Sequence, residues 1–262
     1  GDSDWTSIEW RGSRVVQHTE DMGSRATYPP MPELPTSELY HLLSRRLRPD
    51  YRFDQSLVSP LSVAARVAAI TREMPDGGHI LVVGDDDFLS PALARAGYRV
   101  TVVELDERVV RAIETIADEL ELSIEFQLAD VRDDPPAGWA ERFDAAVTDP
   151  IYDAAMAQQF VRFSLNAIRP GGLFFLSFAS WMEVYRDLFP WLLDYGLRLR
   201  RLYPRMNEYY SGTERGQCGP FASLLPGESD PDHVVPPPLF YSDFHAFEYD
   251  GVTEQEIASE AG

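Results

Sequence analysis

From His79 to Phe178 the chain alternates short apolar runs with amphipathic stretches, and few folds accept that order. "HILVVG" (79–84) has the length of a buried parallel strand, and "FLSPALARAG" after it has that of a helix ending at Gly97. "YRVTVVEL" (98–105) is a second strand, and "DERVVRAIETIADELE" (106–121) spaces apolar residues at 109, 110, 113, 116 and 120, the period of a helix. "SIEFQLAD" and "FDAAVTDP" are the third and fourth strands. "DAAMAQQFVRFSLNAI" is a helix stopped by Arg169-Pro170-Gly171-Gly172, and "LFFLSFA" is a fifth strand. Strand–helix alternation with right-handed crossovers predicts an α/β, Rossmann-like doubly wound sheet of the class I methyltransferase type. After a helix at about 181–195, "LRLRRLYP" and "LFYSDFHAFEYD" read as an antiparallel C-terminal strand pair that closes the sheet. Residues 205–238 between them form a long insertion, and loops of that length in compact domains tend to carry function.

The flanks differ from this centre. "WTSIEWRGSRVVQH" (5–18) reads as a short hairpin and "TYPPMPELP" as a Pro-rich connector. A helix from Thr36 to about Arg48 follows, with Leu39, Leu42, Leu43 and Leu47 on one face. Ser59-Pro60 opens another helix, with proline at its favoured first position. The expected organisation is an N-terminal extension over 1–50, a Rossmann-like catalytic domain over 51–250, and a flexible acidic tail over 251–262.

Composition excludes several function classes. All 23 basic residues are arginine, against 43 Asp and Glu, for a net charge of −20. Such a field repels nucleic-acid phosphates and draws in cations, polyamines among them, so a cationic small-molecule partner is expected and nucleic acid is not. There is no 18-residue apolar run and no leader-like segment, which argues against a membrane partner. Cys218 is the one cysteine, so no disulfide can form within the chain, and a reducing cytoplasm fits best. His18, His41, His79, His233 and His245 are scattered without ligand spacing, so no metal is expected.

Ligands of an open α/β sheet bind beyond the carboxyl ends of its strands, and four loops there carry matching chemistry. Gly84 permits the tight turn of "VVGDDDF". Glu104 closes the second strand about twenty residues on, where an acid accepts both hydroxyls of a ribose. Asp106 follows it, and Asp130 in "LAD" is placed to accept from an adenine amino group. Where a nucleotide fingerprint has glycines, Asp85, Asp86 and Asp87 would repel phosphate, which disfavours NAD or FAD and suits a sulfonium or an ammonium. Acids packed together also push at least one pKa upward, a useful property in a general base.

The fourth loop, "TDPIY" (148–152), resembles the Asp-Pro-Pro-Tyr loop of amino-methyltransferases. There a carboxylate and a proline carbonyl accept from an amine while an aromatic ring packs over it. Asp149, the Pro150 carbonyl and Tyr152 can take those parts, with Ile151 in place of the second proline.

"FDQSLVS" (53–59), "VVGDDDFLSPALA", "VVELDERVV", "FDAAVTDP" and "RMNEYY" (205–210) together resemble the branched-chain polyamine synthases, the bis-aminopropyl-spermidine synthase family, over roughly residues 50–250. The resemblance implies aminopropyl transfer from decarboxylated S-adenosylmethionine to an amine or polyamine, with release of methylthioadenosine. By motif it puts Asp85, Asp86 and Asp87 at the chemistry, Asp54 and Gln55 at the donor pocket, Asn207, Glu208 and Tyr209 on the acceptor side, and Glu104 at the ribose. The decarboxylated donor carries a terminal ammonium and no carboxylate, which suits an acid-lined pocket. Residues 1–35 do not read as the winged helix associated with such proteins, and Ile151 departs from the acceptor loop.

Three functions remain open on these residues. The first is the aminopropyl transfer just described, with Asp86 or Asp87 removing the acceptor proton. The second uses intact S-adenosylmethionine for methyl or aminocarboxypropyl transfer to a small amine of secondary metabolism. The third is a non-catalytic polyamine- or nucleoside-binding protein. A homodimer is also left open.

Overall fold

A computed structural model describes residues 7–11, 14–18, 36–209 and 240–251. The Pro-rich connector, most of the long insertion with Cys218 and His233, and the acidic tail from residue 252 lie outside the described residues. Seven strands form one mixed sheet in the order β5-β4-β3-β6-β7-β9-β8, and β1 (Ser7–Arg11) and β2 (Arg14–His18) form a separate antiparallel pair where a hairpin is expected. This is the Rossmann-like α/β fold with its C-terminal strands turned antiparallel. No helix among the described residues is long and apolar enough to cross a membrane. The chain divides into two compact units, one of residues 28–130 and 206–241, the other of residues 1–27, 131–205 and 242–262.

In the first unit, β3 (His79–Val83), β4 (Arg99–Glu104) and β5 (Ile124–Leu128) pair in parallel. β3 is buried along its whole length, and so is β4 after Arg99, as apolar runs under helices must be. Parallel pairing with Val83 opposite Val103 and Glu104 opposite Leu128 brings three carboxyl ends to one edge. Residues 84–87, 104–106 and 129–130 therefore share that edge. Helix α1 (Thr36–Leu43) ends five residues before the expected boundary, just ahead of the buried Arg46. Helix α2 (Pro60–Glu73) begins as its sequence signals require, with Ser59 Oγ accepting from the Ser62 N–H at 3.0 Å. Helices α3 (Leu89–Arg95) and α4 (Glu107–Glu119) follow β3 and β4, and α4 packs Val109, Val110, Ile113 and Ile116 inward.

In the second unit, β6 (Phe143–Thr148) runs parallel to β7 (Ile168–Phe178), and β9 (Phe240–Tyr249) pairs antiparallel to β7 with Asp243 opposite Phe178. Helices α5 (Ala154–Leu165) and α6 (Glu183–Asp194) pack on each other. β8 (Leu197–Tyr209) runs five residues beyond the expected strand end, so "RMNEY" is strand rather than insertion.

Arg169-Pro170-Gly171-Gly172 also departs from its sequence reading. The helix before it does stop, at Leu165, but the four residues belong to β7 rather than to a connecting turn. Pairing with β6 shifts register between Phe143 and Ala145, and Gly171 holds φ at 72°. The glycines absorb the irregularity. A Cβ on Gly172 would lie 2.7 Å from the Arg169 carbonyl oxygen and 2.9 Å from that of Asp144, both backbone atoms that cannot swing away. Gly172→Ala is expected to destabilise the chain by about 1–3 kcal/mol through overpacking, read from the midpoint of urea unfolding. An unchanged midpoint would show that the strand pair can part at no cost.

Candidate active site

The three consecutive aspartates meet three environments. Asp85 is 1% exposed, and its carboxylate accepts from the backbone N–H groups of Leu89 (2.7 Å) and Ser90 (3.1 Å), the first of helix α3. Burial pushes its pKa up to about 8 against the pull of those donors. Asp87 is 3% exposed and carries two ion pairs, to Arg66 Nη1 at 3.0 Å and to Arg46 Nη1 at 3.5 Å, while its Oδ1 accepts the Val58 N–H at 2.8 Å. Asp86, between them, is half-buried. The turn opens at Gly84, whose φ of 76° a Cβ would disfavour and whose N–H reaches the Val103 carbonyl at 2.8 Å. It closes at Phe88, a fully buried residue held left-handed at φ 58°, the kind of backbone strain that collects at functional sites.

Glu104 stands at the same edge, 8% exposed, at the end of β4. One carboxylate oxygen accepts the Asp85 N–H at 2.9 Å, and the other accepts those of Leu105 (2.7 Å) and Asp106 (2.9 Å). Burial raises its pKa, with the three backbone donors working the other way. Asp106 caps helix α4. Burial raises its pKa too, but hydrogen bonds from Arg108 and Gln55 outweigh that and leave it below its usual value.

Gln55 locks the segment before α2 to this edge. Its Nε2 donates to Asp106 Oδ2 at 3.0 Å, and its Oε1 accepts the Asp50 N–H at 2.8 Å. Asp50 is in turn held by Arg52, which brings its pKa to about 2. Asp54 is exposed in a left-handed turn (φ 55°), and Asp130 is half-buried after β5.

The end of β8 joins the same unit. Val58 forms an antiparallel bridge with Tyr209, Ser59 N–H donates to the Glu208 carbonyl at 2.8 Å, and the Glu208 N–H donates to Ser62 Oγ at 2.9 Å. The Glu208 side chain accepts from Ser59 Oγ at 3.1 Å. Asn207 is fully buried and its Oδ1 accepts from Arg66 Nε at 2.7 Å, while Tyr209 stacks on Phe240 with centroids 4.4 Å apart. The segments "FDQSLVS", "GDDD", "VELDERVV" and "RMNEYY" are therefore hydrogen-bonded to one another, although 141 residues separate Arg66 from Asn207.

In the other unit, Asp149 and the buried Pro150 follow β6, and the Tyr152 ring lies 4.9 Å from that of Phe178. Phe178 stacks on Tyr185, whose hydroxyl meets His245 Nε2 at 2.8 Å. His245 Nδ1 faces the Leu176 carbonyl at 3.1 Å, so that nitrogen bears the proton and Tyr185 donates to Nε2. Burial lowers the His245 pKa to about 4, opposed by Asp243. Asp243 is 4% exposed and accepts from the Ser180 hydroxyl and from the Arg205 N–H at 2.7 Å.

Sequence reasoning missed the buried arginines Arg46 and Arg66, the serines Ser59 and Ser62 as partners of Glu208, and the Asp243–His245–Tyr185 group. The spacing Ser242-Asp243-x-His245 on a strand with otherwise apolar inward positions was the available signal for the last.

Comparisons with known proteins bear on the family and the fold. The branched-chain polyamine synthase A C-terminal domain matches residues 37–242. The N(4)-bis(aminopropyl)spermidine synthase of Thermococcus kodakarensis is 32% identical over 176 residues, covering 63% of this chain and 49% of that protein. The branched-chain polyamine synthase of Thermus thermophilus, in complex with N4-aminopropylspermidine and 5'-methylthioadenosine, superposes with a TM-score of 0.68 at 27% identity, covering 82% of this chain and 63% of that one. A Pyrococcus horikoshii protein assigned as an RNA methyltransferase shares the fold alone, at 14% identity and a TM-score of 0.60. The chain spans about half the length of the curated relatives it matches.

The Asp85 carboxyl gives a pH signature. Its proton is held to about pH 8 in the folded chain, whereas an unfolded aspartate releases it near its ordinary value of 3.8. The stability this group contributes is thus complete below pH 3.8 and is lost as pH rises towards 8. Asp85→Asn removes the titration, so the melting temperature of the variant relative to the native chain should climb between pH 4 and pH 8. A difference that stays flat across that window in calorimetry would show that the carboxyl does not titrate there.

Proposed function

The chain belongs to the family of the branched-chain polyamine synthase A C-terminal domain, and on that premise we propose that it transfers an aminopropyl group from decarboxylated S-adenosylmethionine to a polyamine nitrogen. The observation that carries the reading is the convergence of the family-like segments. Gln55, Val58, Asp87, Asp106, Asn207, Glu208 and Tyr209 are joined in one hydrogen-bonded set around the aspartate turn. Related proteins supply the chemical identities: the Thermus thermophilus enzyme holds N4-aminopropylspermidine and methylthioadenosine, a polyamine and a nucleoside of the S-adenosyl series.

In the proposed mechanism Glu104 accepts the ribose hydroxyls and Asp130 the adenine amino group, with Gly84 letting the nucleoside approach the backbone. Gln55 and Asp106 keep the 50–55 segment against this edge, Asp54 stands at its exposed turn, and Asp85 rigidifies the turn from below through helix α3. Asp87 is taken up by its arginines, so the proton-accepting role is proposed for Asp86 rather than shared with Asp87. Asp86 removes a proton from the acceptor ammonium, the freed lone pair attacks the carbon beside the sulfonium, and that carbon–sulfur bond breaks with its electron pair going to sulfur. A secondary amine becomes tertiary, neutral methylthioadenosine leaves, and the proton passes from Asp86 to water. Positioning and proton removal supply the catalysis, because a sulfonium is already a good leaving group. Glu208, Asn207 and Tyr209 are proposed for acceptor recognition. In the other unit the same role is proposed for Asp149, the Pro150 carbonyl and Tyr152. The net charge of −20 favours a cationic acceptor, and a reducing cytoplasm is the proposed compartment.

Incubated with decarboxylated S-adenosylmethionine and spermidine, the chain should release methylthioadenosine and an acceptor heavier by one aminopropyl unit, both read by mass spectrometry. Asp86→Asn should lower kcat by about 100- to 10,000-fold while leaving the melting temperature unchanged. S-adenosylhomocysteine formed from the intact donor would replace this reading with methyl transfer, and normal turnover in the Asn variant would remove Asp86 from the chemistry.

A further inference from the structure

We propose that Arg66 is a positioning residue of this site, one guanidinium that fixes the aspartate turn and the acceptor-side strand end against each other. The proposal rests on the aminopropyl-transfer reading for what the site does, and on geometry for what Arg66 does.

Arg66 lies on α2 and is 2% exposed, in a stripe otherwise formed by Val63, Ala64, Val67, Ala68 and Ile70. Its Nη1 donates to Asp87 Oδ2 at 3.0 Å and its Nε to Asn207 Oδ1 at 2.7 Å. A guanidinium is planar and its donors are rigidly spaced, so two acceptors on different atoms of the fork cannot move independently. The acceptors belong to the two segments that carry the proposed chemistry. Asp87 directly follows Asp86, and Asn207 directly precedes Glu208.

Each segment has a second hold of its own. Asp87 Oδ1 accepts the Val58 N–H, and Arg46 Nη1 donates to the Val58 carbonyl at 2.8 Å while pairing with Asp87. Glu208 is held by Ser59 and Ser62 at the start of α2. One stretch of chain, Val58 to Arg66, therefore grips both the turn bearing the proposed base and the strand end bearing the proposed acceptor carboxylate. Stability alone does not require this arrangement, because apolar residues of similar volume often serve a buried position as well as an ion pair does. What the pair adds is register. Asp86 is fixed through both chain neighbours, Asp85 on the N–H groups of α3 and Asp87 on Arg66 and Arg46, at a set distance from Glu208.

A lysine at position 66 keeps a cation opposite Asp87 but offers a point charge in place of a fork, so it gives up the hold on Asn207. Leucine at 207 removes the acceptor and keeps the volume. Native chain, Arg66→Lys, Asn207→Leu and the double variant would be compared for kcat, for KM of each substrate, for spermidine affinity by calorimetry with methylthioadenosine present, and for melting temperature. Each single variant is expected to stay folded, to lose up to about 100-fold in kcat, and to bind spermidine more weakly with the donor KM unchanged. The double variant should lose no more than the worse single one, because both changes break the same coupling.

Wild-type kcat in the folded variants, losses that multiply in the double variant, or a donor KM that rises in step with the acceptor KM would overturn the proposal. A native chain that binds spermidine yet releases no methylthioadenosine would overturn the reaction and not the positioning. Non-additive spermidine affinities in the same four proteins would then support it, and additive ones would overturn it. A native chain that does neither would overturn both.

Discussion

The first unit depends on one buried carboxylate. Asp87 sits between two guanidiniums, each 2% exposed, in a region where helix α2 otherwise presents alanine, valine and isoleucine. Burying charge costs several kcal/mol per ion, and the attraction offsets that cost only when geometry is good and every remaining donor is matched. The matching here recruits the chain around it: the Val58 N–H and carbonyl, the Asn207 side chain, and through them the bridge between Val58 and Tyr209. These contacts set the path of the segment before α2 and the point where β8 ends. A loss of Asp87 would leave the guanidiniums of Arg46 and Arg66 buried without their shared counter-charge.

Much of the fold could be read directly because parallel strands under helices have nothing but side-chain hydrophobicity to define them. β3 and β4 are apolar runs closed by a glycine and a glutamate, and α4 follows with its helical period intact. Reading failed where backbone geometry rather than side-chain pattern decided the outcome. Arg169-Pro170-Gly171-Gly172 has the composition of a turn, yet β7 runs through it because Gly171 takes a positive φ and Gly172 admits two carbonyls where a side chain would clash. β8 outran its expected end because Asn207 and Glu208, polar residues that read as loop, find partners in Arg66, Ser59 and Ser62. A polar residue in a strand is legible only if its partner is, and these partners lie about 140 residues away in sequence, as the 141 between Arg66 and Asn207 illustrates.

The candidate site divides along the same line. The place of Gly84, the aspartates, Glu104 and Asp130 at one edge was legible, because the strand–helix alternation fixes where the carboxyl ends of parallel strands lie. Arg66 was not. Nothing in "SVAARVAAITRE" itself marks this arginine for the interior; its partners Asp87 and Asn207, from elsewhere in the chain, do. His245 was legible as a strand histidine, but not as the acceptor of the Tyr185 hydroxyl behind Phe178 and Tyr152.

Three identical side chains in sequence thus acquire three characters from their surroundings alone. Asp85 exchanged water for the N–H groups of α3, and because dipoles stabilise a charge less than water does, burial wins and its pKa rises to about 8. Asp87 made the same move into the interior but met guanidiniums, so its charge is matched by full opposite charges. Asp86 stayed half-buried, more accessible to water than either neighbour. That difference in exposure is the ground on which the proton-accepting role is proposed for Asp86. The middle aspartate is therefore anchored from both sides, by Asp85 on the N–H groups of α3 and by Asp87 on Arg46 and Arg66.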